Sequence, residues 1–320
     1  MAQEDGSRDN LLQRVYPQLS NLHRYLLAIQ HSPDQGKAAL KAVQLRMEQQ
    51  SVDPILELQQ IAKGLPQPLG RWIEQLSQNA WKVVLKSAIQ ALEVEWNDKV
   101  VKPYRMTIAD RYPFNLNSPQ EVAISDFDRF FAPNGILDSF YTKYLNAFIE
   151  NGFTDAEDGS TPIIREDVLQ QLEMAQKIRD TFFSGENGLG AQYIVEPLSL
   201  SSNKRRSVLN LDGQIIDFTH GNKRRVNVVW PNSMNIAVES KLTLVPNQAN
   251  SSPRSLSYRG PWAQIKLFSL GNVVGEREGS FDIRYDVDGG YAIYRIYVDA
   301  SNNPFSPDMF KEFNLSETLY

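Results

Sequence analysis

Phe281-Asp-Ile-Arg-Tyr-Asp-Val287, Asp288-Gly-Gly290 and Tyr291-Ala-Ile-Tyr-Arg-Ile-Tyr-Val298 read as one β-hairpin. Apolar and polar residues alternate along the first run, the period of a strand whose side chains point to opposite faces. Asp-Gly then supplies a turn, because both residues accept the backbone conformation that a tight hairpin demands. In the returning run, Tyr291, Ile293, Arg295 and Tyr297 share one face, with Tyr294 and Ile296 on the other. Alternation leaves open which face is inward.

The same texture extends back to Gly190. Gln192–Leu198, Ser207–Asp212, Val226–Trp230 and Lys241–Val245 are short runs rich in β-branched and aromatic residues, separated by turn residues. Short helices are expected at 260–268 and 307–313. Strands at this spacing suggest an antiparallel sandwich. No repeat of solenoid period is present.

Before Gly185-Glu-Asn-Gly-Leu-Gly190, helix signals dominate. Leu11, Leu12, Val15, Leu19, Leu22, Leu26 and Ile29 recur at three and four residues, marking one apolar face, which Pro17 should interrupt or kink. Ser32-Pro33 and Asp53-Pro54 each pair a capping side chain with a proline suited to a first helical position. The segment from about Gly70 to Asn97 is the clearest helix, with Trp72, Leu76, Val84, Leu85, Ala88 and Leu92 expected inward. Pro103 should end or bend the chain on its C-terminal side. Further helices are expected over 136–149 and 166–183. The fold class is therefore α+β: an N-terminal all-α helical bundle followed by a C-terminal antiparallel β-sandwich-like domain with short helices. The boundaries are 1–185 and 191–320, and a break near 97–118 allows two subdomains within the helical region.

Between the two textures lies a run dense in aromatics: Arg111-Tyr-Pro-Phe114, Asp126-Phe-Asp-Arg-Phe-Phe131 and Gly135-Ile-Leu-Asp-Ser-Phe140. Large rings with helix-boundary signals predict a structural crossing point where several helices meet.

Composition narrows the function classes. The chain has 320 residues, 42% of them hydrophobic, and a formal net charge of -5, so it carries no global basic footprint for nucleic acid. Cysteine is absent, which removes disulfides, thiolate nucleophiles and cysteine-ligated metals, and suits an oxidising compartment. No apolar run approaches the roughly 18–20 residues that cross a bilayer. Met1-Ala-Gln-Glu-Asp-Gly-Ser7 lacks the features of a signal peptide and reads as an artificial start, so the chain is expected to be a fragment of something larger.

Residues able to do chemistry are few. Histidine stands only at 23, 31 and 220, and lone histidines are usually surface or satisfied core residues. Asp126 and Asp128 point about 200° apart on a helix, so Asp126 reads as a cap for the helix through Phe131. Asp286 and Asp288 border a turn and bring too few oxygen ligands for calcium. The Gly185–Gly190 run resembles a phosphate loop, but no Lys-Ser/Thr and no helix come after it; it is a linker turn. No catalytic residue, cofactor or metal is indicated.

Two basic clusters remain, Lys204-Arg205-Arg206 and Lys223-Arg224-Arg225, expected at loops or strand edges. Charged edges discourage unwanted strand pairing; the sharper reading is a docking surface for an acidic partner. Candidate partner-binding residues are these six together with Tyr291, Tyr294 and Tyr297.

Trp96 and Val100, Arg111–Phe114, Ser118, Asp126–Phe131, Gly135–Phe140, Ile178-Arg179 with Phe182-Phe183, Leu211-Asp-Gly213, His220-Gly221, Trp230-Pro231, Gly260-Pro-Trp262 and Asn303-Pro-Phe305 stand in an order that resembles a known family. They are similar to the C-terminal region of the IcmF-like TssM proteins of bacterial type VI secretion systems, over roughly Trp96 to Phe313. Family members often carry a cysteine after the tryptophan, where this chain reads Lys102-Pro-Tyr-Arg-Met106. The resemblance implies the periplasmic part of an inner-membrane protein and a structural component of the secretion membrane complex. It implies as partners the outer-membrane lipoprotein TssJ, other copies of the chain in a ring and other membrane-complex subunits. The alternatives are a periplasmic cell-wall-acting enzyme or a glycan-binding module, the latter needing exposed Trp230 or Trp262.

Overall fold

The computed structural model describes residues 2–48, 52–150, 163–183, 188–232, 239–248, 250–298, 303–306 and 308–320. Part of the linker turn, Gly185 to Asn187, lies outside them, as does Pro307 at the start of the last expected helix. The helices of the first part are α1 (Ala2–Gln30), α2 (Gln35–Met47), α3 (Pro54–Lys63), α4 (Leu69–Trp96), α5 (Lys102–Thr107), α6 (Ile124–Phe131), α7 (Ile136–Phe140), α8 (Asn146–Glu150) and α9 (Glu166–Phe182). The next elements are strands β1 (Ala191–Leu200), β2 (Lys204–Leu211), β3 (Gln214–Phe218), β4 (Val226–Trp230), β5 (Glu239–Pro246) and β6 (Arg254–Arg259). Helix α10 (Ala263–Ser269), β7 (Asn272–Arg277), β8 (Ser280–Val287), β9 (Gly290–Tyr297) and α11 (Asp308–Lys311) complete the order. These elements form two compact units. One holds Met1–Lys102, Phe140–Leu169 and Ser316–Tyr320; the other holds Pro103–Ser139 and Gln170–Leu315.

In the first unit, α2 and α3 pack on α4. Asp53 caps α3 as its sequence predicts, accepting from the backbone N–H groups of Ile55 (2.8 Å) and Leu56 (3.3 Å), with Pro54 at the first helical position. Helix α2 departs from expectation. Its cap is Asp34, which accepts from Lys37 N at 2.9 Å, whereas the Ser32 hydroxyl donates to the Asp34 carbonyl. Helix α1 continues through Pro17 without interruption. Both Pro17 and Gln13 are exposed, so the carbonyl that proline leaves without a donor faces water.

Helix α4 corrects a second expectation. Ile73, Ala80, Val84, Leu85, Ala88 and Leu92 are buried, but Trp72 and Leu76 are 61% and 45% exposed. The helix carries apolar residues on two stripes, and only one faces the core. A π-helical turn, Asn97–Val101, joins α4 to α5 without a break and sits directly ahead of Pro103. The wider turn accommodates the proline, whose ring and missing N–H disfavour a regular α-turn. A second π turn, Tyr141–Leu145, joins α7 to α8. Trp96 is fully buried, packs edge-on against Phe140 with ring centroids 5.3 Å apart, and donates from its indole to the Ser316 carbonyl at 3.0 Å.

The second unit contains an antiparallel sandwich. Its sheets run in the orders β4-β1-β9-β8-β7 and β3-β2-β5-β6. The 281–298 hairpin forms as read, with Asp288 and Gly289 both at positive φ. The Tyr294 and Ile296 face is the inward one. Tyr294 lies in the core with Tyr193, Leu209, Leu244 and Ile283, and its hydroxyl donates across to Ser207 Oγ of the other sheet at 3.0 Å. Along one side, the Gln214 amide bonds both the N–H and the carbonyl of Val229 (2.8 and 2.9 Å), stitching edge strand β3 to edge strand β4.

The aromatic run behaves as predicted within this unit. Trp262 is fully buried, donates to the Val122 carbonyl at 2.7 Å, and meets Trp230, Phe127 and Phe310 at centroid distances of 4.8, 5.2 and 5.8 Å. Phe127 in turn touches Phe131 and Phe182. Helices α6, α9, α10 and α11 and the end of β4 thus converge on one ring cluster. Asp126 lies in the first turn of α6, whose N-terminal flank is Ala123; it is not the cap, though its charge still favours that end of the helix.

Candidate functional site

The expected binding residues separate onto different surfaces of the second unit. Strand β2 is not an edge; it lies between β3 and β5. A bulge between Lys204 and Arg206 turns Lys204 inward, where it is 2% exposed. Its ammonium donates to the Asp288 carbonyl at 2.9 Å and pairs with the Asp288 carboxylate at 3.3 Å. Its stem lies against Gly290, where an added Cβ would come within 2.5 Å of Lys204 Cε. Lys204 therefore closes the hairpin turn, and Tyr294 fills the core, so neither offers an accessible binding surface.

Arg206 points outward from the four-stranded sheet and grips Asp217 of β3 with two bonds, at 2.8 and 2.6 Å. Arg205 is exposed at the bulge, and Lys223 and Arg224 are exposed in the loop before β4. Arg225 belongs to the other sheet.

The outer face of the five-stranded sheet carries Arg225, Tyr291 and Tyr297 within a connected set of paired groups. Register aligns Glu196, Arg295 and Asp282 across β1, β9 and β8. Arg295 clasps Asp282 with two bonds, Nε to Oδ1 at 2.6 Å and Nη2 to Oδ2 at 2.9 Å, and Arg277 of β7 adds a third at 3.1 Å. Toward β4, Arg225 donates to Tyr297 Oη (2.8 Å) and Glu196 Oε2 (3.2 Å), and its guanidinium sits 4.4 Å from the centroid of the Tyr297 ring. The Tyr297 hydroxyl closes the set by donating to Glu196. Arg284, paired with Asp286 at 2.7 Å, lies 4.2 Å from the Tyr291 ring centroid.

These contacts set the electrostatics of the face. Hydrogen bonding from Arg295, helped by Arg277, holds the Asp282 carboxyl below the usual carboxylate range. The Tyr297 hydroxyl and then Arg225 do the same for Glu196. The result is a platform of half-exposed tyrosines and Ile293 whose charged neighbours are already locked in place. Glu196, Asp282 and Arg295 were not among the expected binding residues. For Asp282 and Arg295 the signal is present in the hairpin: once Asp288-Gly289 is the turn, Asp282 must face Arg295, whereas Glu196 joins them only through the pairing of β1 with β9.

Among the described residues, groups able to act chemically stand apart from one another. His23 and His31 are exposed on and after α1, and His220 Nε2 lies 2.6 Å from the Lys204 carbonyl in the turn after β3. Asp212 is buried and bonded to Gln264 and Ser240; burial pushes its carboxyl up. In the first unit a cleft of about 260 Å³ is lined by Tyr25, Ile29, Lys41, Arg46 and Asp53. Arg46 pairs with Asp53 at 3.1 Å and stacks 3.7 Å from the centroid of the Trp81 ring. Burial, with the Asp53 charge, pushes the Tyr25 phenol up to about 12. Trp230 and Trp262 are buried, so neither forms a sugar platform. Among the described residues, no group of three or more histidine or carboxylate side chains is placed to hold a metal ion. Nor is any helix long and apolar enough to cross a membrane.

Comparison with known proteins bears on both units. The family model described as "Type VI secretion protein IcmF helical domain" matches residues 87–186, and that described as "Type VI secretion protein IcmF C2-like domain" matches residues 193–300. A curated relative, "Type VI secretion system component TssM1" of Pseudomonas aeruginosa, is 28% identical over 242 residues. That match spans 74% of this chain and 22% of the relative's length. Among solved structures, a chain of a "Type VI secretion system membrane core complex" superposes with a TM-score of 0.79 at 19% identity, covering 96% of this chain and 66% of the other. The "T6SS protein TssM C-terminal domain" from EAEC superposes with a TM-score of 0.61 at 19% identity, covering 72% of this chain and 98% of that one.

Proposed function

We propose, from the premise that this chain belongs to the IcmF (TssM) family of type VI secretion proteins, that it is a structural piece of the secretion membrane complex and not an enzyme. In this reading it lies in the periplasm as part of an inner-membrane protein. It reaches the outer membrane by binding the lipoprotein TssJ, while other copies of the chain and other subunits pack around it.

The observation that carries this reading is the outer face of the five-stranded sheet. Tight interfaces draw most of their energy from a few aromatic and arginine anchors. Here Arg225, Tyr291 and Tyr297 stand on a rigid sheet with their orientations fixed by Glu196, Arg284 and the ring contacts. A surface ordered before the partner arrives loses less side-chain freedom on binding. Arginine pairs that are already satisfied can also present their remaining N–H groups to acceptors on the partner.

Titration calorimetry of this chain with the soluble domain of the lipoprotein tests the assignment. Binding is expected, and Arg225→Ala combined with Tyr297→Ala should weaken it by at least about thirtyfold, the scale of interface hot spots. Unchanged affinity in that variant would move the lipoprotein site off this face. Turnover of purified peptidoglycan by the chain, abolished by Asp126→Asn or His220→Ala, would replace the structural reading with an enzymatic one.

A further inference from the structure

Four connections at one end of the sandwich are tied into a single surface. Asn203 Nδ2 donates to the Gly289 carbonyl (2.9 Å), and Asn247 N donates to the Asn203 carbonyl (3.0 Å). The Lys204 ammonium reaches the Asp288 carbonyl, and His220 reaches the Lys204 carbonyl. The β1–β2, β3–β4, β5–β6 and β8–β9 loops therefore meet. Arg205, Lys223, Arg224 and Arg254 stand in these loops or at strand starts bordering them, and all four are exposed. None forms a side-chain ion pair with a described residue. The two nearby aspartates are engaged elsewhere, Asp288 by Lys204 and Asp286 by Arg284. This end is strongly cationic, on a chain whose formal net charge is -5.

The cations come without anchors. Large exposed apolar residues of the second unit include Ile215, Val229, Leu270, Val273 and Val274, and none of them lies in these loops. Protein interfaces are built around desolvated aromatic and apolar centres, with charge at the rim. The four charges are also spread out. Phe218, Ser207, Leu244 and Arg254 form one row across the four-stranded sheet, so the surface spans about 14 Å from β3 to β6 at the usual strand spacing. Separate, long, unpaired basic side chains in loops and at strand starts suit a continuous field of negative headgroups better than one carboxylate pocket.

We infer that this end of the sandwich is a docking surface for an anionic phospholipid bilayer, engaged through Arg205, Lys223, Arg224 and Arg254. The attraction is electrostatic and acts within about a Debye length of the headgroups. Each basic side chain contributes about fivefold in affinity, and the four together several hundredfold, on the order expected for basic residues at a charged membrane. Its four cations are distinct from the residues of the tyrosine platform, although Arg224 adjoins Arg225 in the chain.

Flotation of the purified chain with lipid vesicles is the test. The chain should float with vesicles rich in phosphatidylglycerol at about 0.15 M salt and release as salt approaches about 1 M, where the Debye length falls to about 3 Å. It should stay behind with vesicles of phosphatidylcholine and phosphatidylethanolamine alone. Replacing all four cations by glutamine (R205Q, K223Q, R224Q, R254Q) should weaken binding by about several hundredfold with the circular dichroism spectrum unchanged. Should that variant fail to fold, the pair K223Q and R224Q in their loop must still lose about twenty-fivefold. Arg206→Gln, whose charge is already paired with Asp217, should change binding by less than about fivefold. Equal flotation with both vesicle types, or full binding by the glutamine variants, overturns the inference. Binding to polyglutamate through the same four residues, with no affinity for vesicles, would also overturn it in favour of an acidic polypeptide.

Discussion

The outer face of the five-stranded sheet and the loop end of the same sandwich are both rich in basic residues, yet they hold them in opposite ways. On the face, Arg225, Arg277, Arg284 and Arg295 are each clasped by a carboxylate. At the end, Arg205, Lys223, Arg224 and Arg254 reach into solvent. Paired arginines have fixed positions and can act as anchors of defined shape. Unpaired ones are mobile charges that respond to a field. The same residue type therefore serves shape recognition in one place and electrostatic attraction in the other.

The largest expected effect comes from the core that supports both surfaces. Trp262→Ala removes a fully buried ring and strands the Val122 carbonyl, at a cost of about 3–5 kcal/mol in urea unfolding. Both the lipoprotein and the vesicle interaction should fail together. If either survived intact, the two surfaces would not depend on a common framework.

Asp282→Ala separates the surfaces. Asp282 is 8% exposed and holds two guanidinium groups, so its loss should cost about 2 kcal/mol, between the values for surface and buried ion pairs. The glutamine variants at the loop end should leave urea stability unchanged. The pH dependence has the same origin. Because the folded state holds Asp282 and Glu196 below their usual range, their stabilisation is full above the ordinary carboxylate pKa of about 4 and is lost as pH falls through the lowered values. Unfolding midpoints measured from neutral to acid pH should fall, and Asp282→Asn should flatten part of that slope.

Smaller effects sharpen the contrast further. Tyr294→Phe removes the hydroxyl that joins β9 to Ser207, with an expected loss of about 1 kcal/mol by the same measurement. Arg206→Gln breaks an exposed pair and should leave the midpoint where it was.

Much of this arrangement is legible in the sequence. Strands β1, β2, β4, β5, β8 and β9 announce themselves through alternation or β-branched content. The three not singled out from the sequence, β3, β6 and β7, are all edge strands. Arg254-Ser-Leu-Ser-Tyr-Arg259 and Asn272-Val-Val-Gly-Glu-Arg277 bury little, so no inward period marks them, and only pairing with a neighbour makes them strands. Trp72 and Leu76 read as inward because α4 has two apolar stripes, and a helical period cannot choose between them. Lys204 reads as a surface cation for a related reason: the bulge that turns it inward is a tertiary event, invisible in a basic triplet. The Asp282–Arg295 pair is within reach of the sequence, since a two-residue turn at Asp288-Gly289 sets the register of everything before and after it.

The most direct test is a crossed binding experiment on one protein preparation. Calorimetry with the soluble lipoprotein domain and flotation with phosphatidylglycerol vesicles are run on the unaltered chain, the Arg225→Ala/Tyr297→Ala variant and the fourfold glutamine variant. The sheet-face variant should lose the lipoprotein and keep the vesicles, and the loop-end variant should do the reverse. Loss of lipoprotein binding on neutralising Arg205, Lys223, Arg224 and Arg254, with normal binding by the sheet-face variant, would contradict the account.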